Sequence, residues 1–143
     1  MTKQKINKER KQPEVVSLPL KGYIAAGQPI EAVEEYKTIT VPKTMVASSG
    51  EHYALGVKGD SMIDEGIFDG DTVIVRKQST VENGDTAVAL INGNEVTLKK
   101  IFKEKNRIRL QPANPRLKPI FVKTVIIQGK VISAIRNLEQ SSL

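Results

Sequence analysis

The stretch TAVALINGNEVTLKKIF, residues 86–102, reads as two strands joined by a turn. Asn92, Gly93 and Asn94 tolerate the left-handed backbone of a tight hairpin, and the flanking aliphatic and β-branched residues favour extended chain. Outward from this hairpin the same texture repeats. Residues 36–41, 52–57, 72–76, 107–110, 120–122 and 125–135 read as further strands. Turn chemistry separates them at Asp69-Gly70-Asp71, at Asn83-Gly84-Asp85, and at Pro112 with Asn114-Pro115. No window sustains a helical period beyond one or two turns; residues 32–36 and 43–47 are the candidates for short helical turns. The expectation is a mostly β domain of several antiparallel strands, spaced as in a compact sandwich or barrel, without internal repeats.

A chain of 143 residues fits one domain with a real core. It has no cysteine, which removes disulfides, thiolate metal sites and a cysteine nucleophile, and which suits a reducing cytoplasm. No apolar run approaches the ~18 residues of a membrane span, and no apolar segment follows the basic N-terminus as in a signal peptide. The net charge of +6 is local: Lys3, Lys5, Lys8, Arg10 and Lys11 against Glu9 account for +4, leaving +2 to the other 132 residues. A nucleic-acid reading of the globular part therefore gains little. Residues 1–16 have almost nothing to bury and are expected to be a disordered basic arm. From Ser17 the chain becomes apolar and extended, and Ala25-Ala26-Gly27 forms a small-residue stretch before Pro29.

Chemistry centres on Gly59-Asp60-Ser61-Met62-Ile63, a glycine-led loop between two strands. Such a loop exposes a hydroxyl and can aim backbone N–H groups at a developing oxyanion. Serine in a Gly/Asp loop is more often plain turn chemistry, and a serine nucleophile needs a base. His52 is the one histidine, and a Ser–His–Asp triad has no other motif to support it. The other base is a neutral lysine, which requires burial to lower its pKa. The strand Val96-Thr97-Leu98-Lys99-Lys100-Ile101-Phe102 offers two. Alternation puts Lys100 with Val96, Leu98 and Phe102, and Lys99 with Thr97 and Ile101; periodicity alone leaves both open. Asp60, Asp64, Asp69 and Asp71 fit no calcium loop, and turn formation accounts for them more simply than a metal site.

Several of these segments, in order, resemble the C-terminal domain of the LexA repressor and its relatives UmuD and the lambda-type phage repressors. LPLKGYIAAGQP (residues 18–29) resembles the LexA cleavage region; GDSMID (59–64) resembles the nucleophile loop, closest to its UmuD form; GIFDGD (66–71) resembles the hairpin after it. EVTLKK (95–100) resembles the strand carrying the general base, LQPAN (110–114) a further loop, and residues 129–137 the terminal strand. The resemblance spans residues 18–137. It implies a LexA- and signal-peptidase-like β domain that hydrolyses its own Ala26–Gly27 bond, with Ser61 as nucleophile and Lys99 rather than Lys100 as base. Asp60 and Met62 would shape the oxyanion loop, and Thr97 would orient the lysine.

The implied organisation is an arm (1–16), a cleavage-site segment (17–34) and the Ser–Lys domain (35–143). The implied setting is the SOS response to DNA damage in the cytoplasm, with the RecA–single-stranded-DNA filament as activator, a homodimer through strand pairing, and no metal or organic cofactor. Only 26 residues precede the cut, too few and too polar for a helix-turn-helix domain, so specific operator binding by this chain is not expected. Two other readings remain: a UmuD-like translesion polymerase accessory protein, and a non-catalytic β module that binds a partner. A signal-peptidase relative is disfavoured for want of a membrane anchor.

Overall fold

The computed structural model describes residues 14–139. Nine strands run in chain order as β1 (Val15–Ile24), β2 (Glu31–Pro42), β3 (His52–Val57), β4 (Thr72–Arg76), β5 (Thr86–Ile91), β6 (Glu95–Glu104), β7 (Arg107–Gln111), β8 (Ile120–Val122) and β9 (Ile126–Ile135). Short 3-10 turns lie at Lys43–Met45 and Ile63–Glu65. All strands join one sheet in the order β2-β1-β3-β4-β9-β5-β6-β7-β8. Every pairing is antiparallel except that of β1 with β3. The mostly β expectation holds, and the opening hairpin is the β5–β6 pair, its turn carrying Asn92 at φ 51° and Gly93 at φ 86°.

The sheet curls on itself. Laid flat, β1 and β6 would stand five strand spacings apart, roughly 24 Å. Instead Ile24 of β1 and Val96 and Leu98 of β6 share one buried cluster with Tyr53, Leu55, Val73, Val75 and Val88. A second cluster, Ala87, Ala89, Ile91, Ile101 and Leu110, fills the opposite side of β5 and β6. Both faces of this hairpin are therefore covered, which explains its near-continuous apolar run. Leu18, Val41 and Ile74 anchor the β1–β2 end in a third cluster.

Two expectations are corrected. Residues 32–36 are not helical but lie within β2: Ala32 pairs with Gly22 and Lys37 with Leu20, and residues 33–36 form the extended irregular stretch between these two pairs. The many exposed charges of β2 suit an edge strand, since they discourage further pairing. Val15 and Val16, assigned to the disordered arm, are strand residues opposite Pro42 and Val41; residues 1–13 of that arm lie outside the described residues. β2 also runs through the expected 34/35 boundary, so the cleavage segment forms a hairpin in the same sheet as the rest. Residues 126–135 form a strand whose neighbours meet different halves, β5 along residues 126–130 and β4 along residues 130–135.

Candidate active site

The loop bearing Ser61 leaves the C-terminal end of β3 and is held from three directions. Asp69 Oδ1 accepts from the Gly59 N–H at 2.8 Å, closing its start. Met62, 2% exposed, plugs into the first core cluster, a burial worth about 2 kcal/mol that fixes the loop's middle. Asn114 Nδ2 donates to Asp60 O at 2.9 Å, and the Asp64 N–H donates to Ala113 O at 2.7 Å. The turn that follows depends on Asp71, which is fully buried. Its carboxylate receives the Phe68 N–H and two bonds from Arg136, at 2.8 and 3.0 Å, while Arg136 also reaches Gly66 O and stacks on Phe68. Burial opposes the Asp71 charge, but the Arg136 pair and the Phe68 N–H together hold its pKa below the usual range. Asp69 and Asp71 thus serve turns and an ion pair.

The loop between β1 and β2 carries Ala26 and Gly27. It is a β-turn, with the Gln28 N–H on Ala25 O at 3.3 Å and Gly27 at φ +72°. That φ favours glycine, and open space surrounds the position where a Cβ would project. Gln28 O accepts the Val96 N–H at 3.3 Å, pinning this loop to β6. Ala25, Ala26, Gly59, Asp60, Ser61, Lys58 and Leu117 line one cleft of about 260 Å³. The fold therefore brings the expected cut site and the expected nucleophile together, although they are 35 residues apart. Ser61 is half-buried there, and Ala26 and Gly27 are exposed.

Lys99 and Lys100 part company. Lys99 is 3% exposed, opposite Ala87 of β5, while Thr97 lies opposite Ala89. These small residues leave room for a lysine in a covered face. Its Nζ donates to Thr97 Oγ1 at 2.7 Å and to Leu98 O at 3.1 Å, and burial lowers its pKa from the ordinary 10.5 to about 8. Lys100 is only half-buried and pairs with Glu65. Among the described residues no hydrogen bond joins Ser61 to Lys99, whose amine bonds back to its own strand. His52 stands at the far end of β3, a strand roughly 17 Å long, and its Nε2 accepts the Ala47 N–H, so it forms no triad with Ser61. Asn114, Ala113, Asp69 and Arg136 brace the loop from afar in sequence. The early signs of them were turn chemistry and the family-like segments 66–71, 110–114 and 129–137, none of which showed that they meet the Ser61 loop.

The profile of the Peptidase S24-like family matches residues 19–132. The chain belongs to the S24-like peptidase family. The S24-like match runs from within β1 to within β9 and takes in Ala26, Ser61 and Lys99. Among S24-like relatives, the chain is 50% identical over 132 residues to a protein named LexA repressor from Geobacillus thermodenitrificans, covering 92% of this chain and 64% of that one. It is 51% identical over 126 residues to the LexA repressor of Desulforamulus reducens, covering 87% and 58%. With the LexA repressor of Caldicellulosiruptor saccharolyticus it shares 53% over 125 residues, covering 87% and 61%. The chain spans less than two thirds of the length of these relatives. Among the described residues no helix is long and apolar enough to cross a membrane.

Proposed function

We propose that this domain cuts its own chain between Ala26 and Gly27, as a self-cleaving serine peptidase of the LexA kind. The observation that carries the reading is the single cleft shared by Ala26 and Ser61. Neutral Lys99 accepts the Ser61 Oγ proton as Oγ bonds to the Ala26 carbonyl carbon. The Ser61 and Met62 N–H groups, which make no hydrogen bond among the described residues, receive the oxyanion. The C–N bond to Gly27 breaks, Lys99 returns the proton to the Gly27 nitrogen, and water hydrolyses the Ala26 ester. Burial of Lys99 supports its role, because a pKa of about 8 leaves roughly a tenth of it neutral at pH 7. Thr97 holds the amine in place, and proton transfer requires Nζ to turn from its own strand toward Ser61. Because substrate and nucleophile are on one chain, weak docking of the loop suffices.

By the same reading the reaction is a cytoplasmic switch of the SOS response, stimulated by the RecA–single-stranded-DNA filament. The relatives' name, LexA repressor, favours relief of transcriptional repression over a polymerase-accessory role. Among the described residues the second half of β9 has a strand neighbour on one side only, which fits pairing with a second copy as a homodimer. The division at residue 34 is functional: it separates what is cut from what cuts.

The test is mass spectrometry of purified protein held at neutral and alkaline pH beside Ser61→Ala and Lys99→Ala. Fragments 1–26 and 27–143 from the wild type alone are expected. A wild type that stays whole at high pH and with an activated RecA filament makes the domain a binding module instead.

A further inference from the structure

The turn after β7 holds the Ser61 loop through hydrogen bonds to Asp60, Met62 and Asp64. Asn114 is 5% exposed. Its Oδ1 accepts the Arg116 N–H at 3.0 Å, which leaves the amide NH2 to face Asp60 O at 2.9 Å. One residue earlier, the Ala113 N–H meets Met62 Sδ at 3.4 Å, and Ala113 O takes the Asp64 N–H. Asp60 O and the Ser61 N–H belong to one planar trans peptide and point to opposite sides of it. Whatever fixes the oxygen therefore aims the N–H, and a donor on the oxygen also strengthens that N–H as a donor.

We infer that Asn114 is a positioning residue for the oxyanion: by holding Asp60 O it directs and polarises the Ser61 N–H toward the Ala26 carbonyl oxygen. The inference rests on the self-cleavage reading. Asn114 touches neither the scissile bond nor Lys99 through any hydrogen bond among the described residues. Its contribution is to the height of the rate and not to the protonation of the base.

Asn114→Asp keeps the size and the acceptor for Arg116 but turns an oxygen toward Asp60 O; Asn114→Ala removes the amide without adding charge. Both are compared with wild type by the pH dependence of the self-cleavage rate and by thermal unfolding. Docking of the cleavage loop is followed separately by amide exchange of Val96, whose N–H is held by Gln28 O, in a Ser61→Ala background. The expected result is a plateau rate lowered 10- to 100-fold, on the order of a lost oxyanion donor. The pH midpoint and Val96 protection stay as in the wild type. Val96 protection falling in step with the rate assigns Asn114 to docking and overturns the inference, as does a shifted midpoint, an unchanged plateau, or loss of the unfolding transition in both variants. A wild type that never cleaves removes the self-cleavage reading itself, and the inference with it.

Discussion

Two loops meet at the cleft, and they are built differently. The Ser61 loop and the turn after it are tied down by Met62 in the core, by Asn114 and Ala113 from the β7 side, and by Asp71 with Arg136 from the end of β9. The Ala26 loop is exposed at residues 26–29; among the described residues its backbone holds on through one turn bond and one bridge to Val96, each at 3.3 Å, with Ile30 packed on the core at its end. The surroundings of Ser61 are preorganised, whereas the Ala26 segment is docked by little. A rigid half keeps the oxyanion donors aimed without reorganisation. In the proposed reaction, a loosely held half would let the rate be governed by how often the loop sits in place, which is where an activator would gain leverage.

The sharpest way to break this contrast is Lys99→Met. Cleavage should fall on the order of 10³-fold. Stability should rise, because folding lowers the lysine pKa from 10.5 to about 8, a cost of about 3 kcal/mol at neutral pH. Below pH 8 both states carry the proton and the cost is complete; it shrinks as the pH rises from 8 toward 10.5, and above that it is gone. Unfolding of wild type and variant at pH 7 and pH 10.5 checks this, and an equal gain at both would contradict it.

Next in size is the rigid half's own brace. Asp71→Ala leaves Arg136 and the Phe68 N–H without their acceptor and should lower Tm on the order of 10 °C. Cleavage should slow by about 100-fold as the Ser61 loop loosens. Because the Asp71 pKa is lowered on folding, the brace contributes fully above the ordinary carboxylate value of 3.8 and is lost as pH falls through the folded value. Melting curves that match wild type at pH 7 would show that the brace is idle.

Between pH 7 and 9 the wild-type rate should climb about tenfold as Lys99 loses its proton, a rise set by its pKa of about 8. A flat profile would mean that loop docking limits the reaction throughout. The smallest effect belongs to the loose half. Gly27→Ala meets no atoms but must adopt φ +72°, at about 1 kcal/mol, and should slow cleavage roughly fivefold with Tm unchanged. A much larger loss would show that the exposed loop is held more tightly than its two bonds indicate.

Most strands could be read from alternation and turn residues, and the 92–94 turn was plain because its chemistry is local. Residues 32–36 misled because their charges resemble a helix surface, and what keeps them extended is the pairing of β1 with the residues at either end, Ala32 and Lys37. The choice between Lys99 and Lys100 shows the limit more clearly. Strand alternation assumes one buried face, but β6 is covered on both, so neighbouring residues differ less by parity than by position along the strand. Lys99 falls where Ala87 of β5 leaves space, and Lys100 falls beside Glu65.

By itself the sequence determined the β texture, the turns, the concentration of positive charge in the first eleven residues, and, through ordered motifs, the resemblance that named Ala26, Ser61 and Lys99. Those features depend on neighbours a few residues apart, or on the order of short segments. Only the tertiary structure decided that the sheet curls until β1 meets β6, that Ala26 and Ser61 share a cleft, and that Asn114 and Arg136 brace the Ser61 loop and the turn after it. These depend on contacts between residues tens of positions apart, and burial, which sets the lysine's pKa, exists only once the sheet has closed around it.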